Sequence, residues 1–341
     1  MKIMKLKAVG IVTILLAFGL YGQDAKVTVH VTDENGIAVS NAQAVAQFQN
    51  ALKPGEGQGT GRPTEVRGLT DTNGLCVLTG NGTDGSVGIG ILKEGYYYGN
   101  AEVSFTNGDH ILNRWLPWNP QIEVVMLKKG VQVPMYARRV SGKIIPIEGK
   151  PVGFDLIACD WVAPYGKGKT PDFIFEVEIE PTTWITNWYG TSPRPYPLQD
   201  NKMTIGFSNN GDGIQQAVAS GYALRLARQA PSDKYESSLI KTQYDEIISV
   251  ESQNTKVQQH INLDKGQNYF FRVRTKKDAQ GNIVSALYGK LYGEFNNGSG
   301  IGEKISFTYY LNPEPNSRNM EFDPGQNLFK NLPPLERVTA P

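Results

Sequence analysis

The chain has 341 residues, enough for two or three domains, and its 37 glycines and 20 prolines are typical of short strands joined by turns. Its formal net charge is +1, with basic and acidic residues almost balanced. That balance provides no field to hold nucleic acid or an anionic membrane surface, so neither is expected as a partner. The composition predicts an all-β protein.

The first residues have the pattern of a secretory signal peptide. Lys2, Lys5 and Lys7 form a positive region, and an uncharged apolar run follows over residues 8–20. The run is shorter than the roughly 20 residues of a membrane span, although an anchoring helix is the alternative. We therefore expect a signal peptide over residues 1–22, no span in the mature chain, and a secreted location, either extracellular or in the periplasm or cell envelope.

The first predicted domain covers residues 23–128. Val27, Val29 and Val31 alternate with polar residues, which predicts a half-buried strand. An Asp-Glu-Asn-Gly turn follows, and a second alternating strand closes the domain at residues 121–127.

The order of these pieces resembles a known family. Alternating valines with an Asp-x-x-Gly turn (residues 27–39) precede Thr-Asp-x-x-Gly (residues 70–74), Lys-x-Gly-Tyr (residues 93–96) and the closing strand. Together they resemble the carboxypeptidase regulatory-like family, also described as prealbumin-like or collagen-adhesin B-type. The resemblance implies a Greek-key β-sandwich of Ig-like or prealbumin-like type. It implies a structural or interaction module and not carboxypeptidase activity.

The rest of the chain resembles no family. Residues 129–150 are rich in Gly and Pro and are predicted as a linker or first hairpin. Residues 151–341 carry many strand patterns, of which residues 173–180 alternate most clearly, and predict a larger β-sandwich or jelly roll. Residues 237–249 are predicted as one short helix.

The two cysteines leave an alternative open. Cys76 and Cys159 could pair in an oxidising compartment, and such a disulfide would join the two predicted domains. Otherwise they are two separate buried thiols, because a free Cys behaves as a small apolar residue.

No cofactor or metal site is predicted. The three histidines stand apart in the sequence, each without a second metal ligand nearby. Residues 163–170 match a relaxed phosphate-loop pattern, but Pro171 follows and then a strand. The helix whose N-terminal amides hold the phosphates is missing, so a basic turn is predicted instead.

Three carboxylates on one strand raise the question of glycoside hydrolysis. Glu176, Glu178 and Glu180 share a face of the predicted strand. Glycosidases take their two acids from different elements and bury one of them, whereas a run on one strand is usually solvated. The sequence therefore predicts no catalytic residues here.

Aromatic residues concentrate in a Pro- and Gly-rich segment that is predicted as loops. The candidate ligand-binding residues are Trp161, Tyr165, Trp184, Trp188 and Tyr189. Exposed aromatic rings stack on sugars, but the pattern favours the alternative that these residues fill a core, because aromatic side chains bury large areas.

Three functions remain open at this point. The first is a secreted, non-enzymatic binding protein whose aromatic segment engages an extracellular polysaccharide. The second is a structural or scaffolding protein of the cell envelope or a surface assembly, with envelope proteins as partners. The third is a secreted glycan hydrolase.

Overall fold

The computed structural model describes residues 22–49, 64–83, 85–109, 111–189, 192–250, 254–262, 266–295 and 300–341. The signal peptide predicted over residues 1–22 lies outside this part except for Gly22. Within the described residues, twenty strands and two short 3₁₀ helices make up the regular structure, which confirms the all-β prediction. The same residues hold no helix long and apolar enough to cross a membrane.

The chain divides into two compact units, Met1–Lys128 and Lys129–Pro341. The strands described in the first unit are β1 (Gln23–Asp33), β2 (Gln43–Phe48), β3 (Thr64–Leu69), β4 (Leu75–Gly82), β5 (Ser86–Leu92), β6 (Gly99–Ser104), β7 (Asn107–Asp109), β8 (Arg114–Leu116) and β9 (Gln121–Met126). One sheet has the order β4-β1-β8-β7, with β9 parallel to β1, and the other has the order β3-β2-β5-β6.

Small aliphatic side chains fill the core of the first unit. Val27, Val29 and Val31 on β1 are fully buried, as their alternation predicts. They belong to one apolar cluster with Ala44 of β2 and Ile91 of β5, which lie on the second sheet. The two sheets therefore pack face to face as a β-sandwich.

The second unit is larger. Its strands are β10 (Tyr136–Ile144), β11 (Val152–Asp155), β12 (Asp160–Trp161), β13 (Phe173–Tyr189), β14 (Ser192–Gly206), β15 (Gly213–Ala217), β16 (Ser238–Val250), β17 (Thr255–Ile261), β18 (Asn268–Lys277), β19 (Ile283–Leu291) and β20 (Lys304–Asn312). A five-stranded sheet has the order β10-β20-β19-β18-β15, and a six-stranded sheet has the order β12-β11-β13-β14-β16-β17. Residues 129–150, predicted as a linker or first hairpin, thus contain an edge strand of the five-stranded sheet.

Aromatic rings join these two sheets. Phe173 of the six-stranded sheet meets Phe271 of the five-stranded sheet with ring centroids 5.1 Å apart, and Phe154 meets Phe307 at 5.6 Å. Both pairs are edge-to-face, the arrangement that the ring quadrupoles favour. The second unit is therefore also a sandwich, with a core of larger side chains than the first.

The short helix predicted over residues 237–249 is wrong, because this segment forms strand β16. Lys241 and Gln243 occupy buried positions on it. The Lys241 ammonium lies 2.7 Å from Glu294 Oε2, and Gln243 Oε1 accepts the backbone N–H of Ile301 at 2.7 Å. These polar residues replace the apolar half of the alternation, so the strand pattern is not visible in the sequence.

Candidate interaction surface

Trp161, the first residue of the predicted aromatic cluster, lies in the core of the second unit. It is 3% exposed, and its indole N–H donates to the carbonyl of Ile144 at 2.9 Å. Its ring meets Phe154 edge-on with centroids 5.2 Å apart. Trp161 therefore fills the core, and a ligand has no access to its face.

Tyr165 lies 46% exposed on the loop that joins β12 to β13. Two carboxylates hold this loop through its backbone amides. Asp155 Oδ2 accepts the N–H of Lys169 at 2.9 Å, and Asp160 Oδ2 accepts the N–H of Lys167 at 2.9 Å. A phosphate would need these same amide donors, so the loop is an acid-bound turn and not a phosphate-binding loop.

Arg274 holds the base of the same loop. Its Nε donates to Asp172 Oδ1 at 2.8 Å, and its Nη2 donates to Asp155 Oδ1 at 3.0 Å. Burial raises the pKa of Asp155, but the backbone N–H groups of Lys169 and Ala158 and the charge of Arg274 outweigh it and leave that pKa below its usual value. Burial raises the pKa of Asp172, even with Arg274 beside it. Tyr165 thus projects from a loop with a fixed backbone.

Trp184 lies on a long hairpin, and not in a loop as predicted. The β13–β14 register shifts between Pro181 and Trp184, which marks a β-bulge. The strands beyond it, residues 184–189 and 192–198, are called the arm below. The Trp184 side chain is 65% exposed there.

The backbone of Trp188 and Tyr189 continues the β13–β14 ladder in the arm, and the structure describes only the backbone of these two residues. Trp161 and Phe173 pair with the same residue of β11, so they lie at the same level of the sheet. Trp184 follows Phe173 by eleven residues on one strand. At about 3.3 Å per residue the two tryptophans are roughly 35 Å apart, so the predicted cluster does not form one surface.

The arm is tied to the β16–β17 hairpin through one side-chain amide. Asn187 Oδ1 accepts the N–H of Thr255 at 2.8 Å, and Asn187 Nδ2 donates to the carbonyl of Thr255 at 3.1 Å. The side-chain amide of Asn187 therefore makes the two hydrogen bonds to Thr255 that the backbone of a neighbouring strand would otherwise make. Ile185 and Leu198 of the arm are buried, which gives the arm apolar contacts of its own.

The β16–β17 hairpin adds further exposed apolar residues. Ile247, Ile248 and Val250 are all exposed, Val250 to 75%. Tyr244 of β16 stacks on His260 of β17 with ring centroids 4.6 Å apart. Because β17 is the last strand of the six-stranded sheet, its outer backbone groups lie at a sheet edge.

The three glutamates lie on the outer face of β13, away from the aromatic core. Glu176 and Glu178 are half-buried and Glu180 is exposed. The Glu178 carboxylate lies 3.4 Å from the ammonium of Lys202, which is its cross-strand neighbour on β14. This is an open, salt-bridged sheet face, and the geometry offers no support for the hydrolase alternative.

Both cysteines are free thiols in the structure. Cys76 belongs to the apolar core of the first unit and Cys159 to that of the second. Burial raises the pKa of each thiol. Raised thiol pKa values lower the thiolate fraction and hence the reactivity of both residues.

Comparison with known proteins gives only weak similarities. No protein-family model matches the chain, and no curated protein matches it. Among solved structures, 3-chlorocatechol 1,2-dioxygenase from Rhodococcus opacus 1CP is 14% identical at a TM-score of 0.24, over 32% of this chain and 61% of the dioxygenase. The shaft pilin SpaA from Lactobacillus rhamnosus GG is 8% identical at a TM-score of 0.19, over 56% of this chain and 90% of the pilin. Scores this low carry no argument about function.

Sequence reasoning missed the arm and its tie to β17. The bulge and Asn187 have no signature in the sequence, because both depend on which strands lie side by side. The adjacent Ile247 and Ile248, followed by Val250 in a polar segment, were a visible signal of an apolar surface. The sequence pattern instead assigns Ile247 and Ile248 to the predicted helix over residues 237–249, which the structure shows as strand β16.

Proposed function

We propose that this chain is an exported, non-enzymatic protein of the cell envelope or a surface assembly. In this proposal the two sandwich units act as rigid spacers, and the arm and the β16–β17 hairpin bind a protein partner. The observation that carries it is the exposure of Trp184 and Val250 on strands that extend beyond the aromatic core. Export is inferred from the signal-like first residues, and the family resemblance of the first unit supports a structural role.

The chemistry of this surface suits a protein partner. Tryptophan is among the residues that most often dominate binding energy at interfaces, because it removes a large area from water. An edge strand such as β17 can also take up a strand from a partner, which is a common mode of protein recognition. Exposed apolar side chains at the edge of a sheet favour aggregation unless they are covered. A partner that covers them would remove this risk.

The proposal is tested by chemical cross-linking in the native envelope. The cross-linked complex is then purified, and the ratio of partner to this protein is measured. Wild-type protein is compared with Trp184→Ala and with Val250→Asp. Val218→Asp serves as the matched control, because Val218 is 94% exposed but lies outside both hairpins. We expect one stoichiometric protein partner that both surface variants lose and that the control retains.

Two outcomes would contradict the proposal. One is a wild-type protein that stays monomeric and uncross-linked in the envelope. The other is a partner retained equally by Trp184→Ala, Val250→Asp and the control.

Polysaccharide binding is the second candidate, favoured by the exposure of Tyr165 and Trp184. In this version their rings stack on sugars, each at a separate place, and Trp188 and Tyr189 stay predicted binding residues. Affinity electrophoresis on a panel of polysaccharides tests it. A mobility shift that Trp184→Ala abolishes supports this candidate, and unchanged mobility of the wild type on every polysaccharide rejects it.

A further inference from the structure

A groove of about 530 Å³ opens on the outer face of the five-stranded sheet in the second unit. Three arginines from separate parts of the chain line it. Arg139 comes from β10, Arg225 from the segment between β15 and β16, and Arg337 from the segment after the last 3₁₀ helix. The fold therefore brings three arginines that are far apart in sequence to the lining of one groove.

Strand pairing explains how this face is built. Arg139 pairs with Thr308 across β10 and β20, so both side chains lie on the same side of the sheet. Residues two positions away on β20, Ser306 and Tyr310, share that side by alternation. All four line the groove, which therefore has hydroxyl groups along one strand beside the arginine.

Beneath the groove lies a closed polar network. Buried Lys290 donates through Nζ to the hydroxyl of Tyr292 at 2.8 Å, and that hydroxyl donates to the main-chain oxygen of Pro341 at 2.7 Å. Burial lowers the pKa of Lys290 well below its usual value. Arg225 stacks above this network, with its guanidinium carbon 5.6 Å from the centroid of the Tyr292 ring.

The groove arginines differ from other arginines of this unit in their partners. Arg138, next to Arg139 in the chain, pairs with Glu336, and Arg228 pairs with Glu321. No carboxylate of the described residues lies within ion-pair distance of Arg139, Arg225 or Arg337. The last of these uses its Nε to donate to the carbonyl of Leu332 at 2.8 Å. The guanidinium groups thus remain available to an external anion.

The one acid that lines the groove is already compensated. Glu294 is fully buried, and its Oε2 lies 2.7 Å from the ammonium of Lys241 and accepts the Tyr269 hydroxyl at 2.7 Å. Its Oε1 accepts the backbone N–H of Phe295 at 2.8 Å. Of the charged residues that line the groove, the three arginines are therefore the ones left to meet an external anion.

We propose that this groove binds an anionic polysaccharide through the carboxylate or sulfate groups of its sugars. The planar guanidinium fork matches such oxyanions with two parallel hydrogen bonds. The hydroxyls of Thr308 and Thr339 supply donors and acceptors for sugar hydroxyls. This site is separate from the arm and does not depend on its binding a protein.

Isothermal titration calorimetry of the purified protein tests the site with three probes: oligogalacturonate for carboxylates, dextran sulfate for sulfates, and neutral dextran. Arg139→Ala and Arg225→Ala are the test variants. Lys276→Ala is the matched control. Lys276 is exposed at the far end of β18, and its substitution removes one positive charge, as each arginine variant does. Circular dichroism melting confirms that each variant is folded.

We expect the wild type to bind at least one of the two acidic probes, with an affinity that falls as salt is raised, and to leave neutral dextran unbound. Each arginine variant should weaken binding by about tenfold or more, because it removes a charge and the charge-assisted hydrogen bonds that it would donate to the oxyanion. The control should bind like the wild type. Which acidic probe binds distinguishes carboxylate from sulfate recognition.

Three results would overturn the inference. The wild type binds neither acidic probe, it binds neutral dextran equally well, or Lys276→Ala weakens binding as much as Arg139→Ala. The Trp184→Ala variant separates a failure of the groove hypothesis from a failure of the proposed function of the arm. It should bind the acidic probe normally while losing its protein partner.

Discussion

Between residues 173 and 177, β13 buries every second side chain under the five-stranded sheet, whereas beyond Pro181 the same strand leaves Trp184 in solvent. The proximal half packs against a second sheet, so its stability comes from an aromatic core. The arm keeps strand pairing but packs few apolar side chains, with Asn187 holding it to β17. One strand pair therefore forms a wall of the sandwich and, beyond the bulge, an exposed arm that we propose as a binding surface.

The largest effect should come from Phe173→Ala in the proximal half. Phe173 is fully buried and touches rings of both sheets, including Phe271. Removing it leaves a cavity that should lower the free energy of unfolding by about 3 to 5 kcal/mol. Urea unfolding followed by circular dichroism measures this. A decrease of less than about 1 kcal/mol in the free energy of unfolding would contradict the distinction between a packed core and an exposed arm.

The next effect concerns the ion pairs below the Tyr165 loop. Arg274→Met leaves the buried Asp172 without its partner, which should cost about 3 kcal/mol in unfolding free energy. Calorimetric melting measures it, with Lys276→Ala as a control of equal charge change. The double variant with Asp172→Asn should recover part of the loss. An undisturbed melting temperature in Arg274→Met would show that the loop is not held in this way.

Acid should weaken the same proximal region through Asp155. Its folded-state pKa lies below the usual value of about 3.9, so the ionised carboxylate stabilises the fold above that pH. This contribution is lost as the pH falls through the lowered pKa. Asp155→Asn should therefore cost about 2 kcal/mol at pH 7, and the difference from the wild type should shrink below about pH 4. Urea midpoints from pH 7 to pH 3 measure it, with the exposed Asp233→Asn as control. A constant difference across this range would argue against the ionised form as the source.

Asn187→Ala should have a smaller and local effect. The variant loses both hydrogen bonds to Thr255, at a cost of about 1 kcal/mol. Hydrogen exchange should become faster in the arm and in β17 while the proximal half stays protected. Thr186→Ala, an exposed neighbour, is the control. Unchanged exchange in both hairpins would mean that the amide tie contributes nothing.

The smallest effect on stability should belong to Trp184→Ala. Its side chain is mostly exposed, so the unfolding free energy should change by less than about 0.5 kcal/mol. If Trp184→Ala loses the protein partner but keeps its stability, the result supports a binding role for the arm that is separate from the stability of the core. A large destabilisation would instead make Trp184 part of the core.

The sequence predicted the strands whose alternation is clean. Val27, Val29 and Val31 are buried as expected, and residues 173–180 lie in a strand with its glutamates on the outer face. These predictions succeed because a half-buried strand imposes a period of two on its own residues. Where buried positions are polar, as at Lys241 on β16, the period is lost and the strand was predicted as a helix.

The candidate site could be predicted only in part, because the sequence lists its aromatic residues without their places. The composition and local patterns alone determined an all-β chain, its alternating strands and its turn residues. Only the tertiary structure decided that Trp161 fills a core while Trp184 is exposed roughly 35 Å along the same sheet. It also gathered Arg139, Arg225 and Arg337 around one groove. The physical reason is that exposure and charge pairing depend on which distant strands become neighbours, and no local pattern records that.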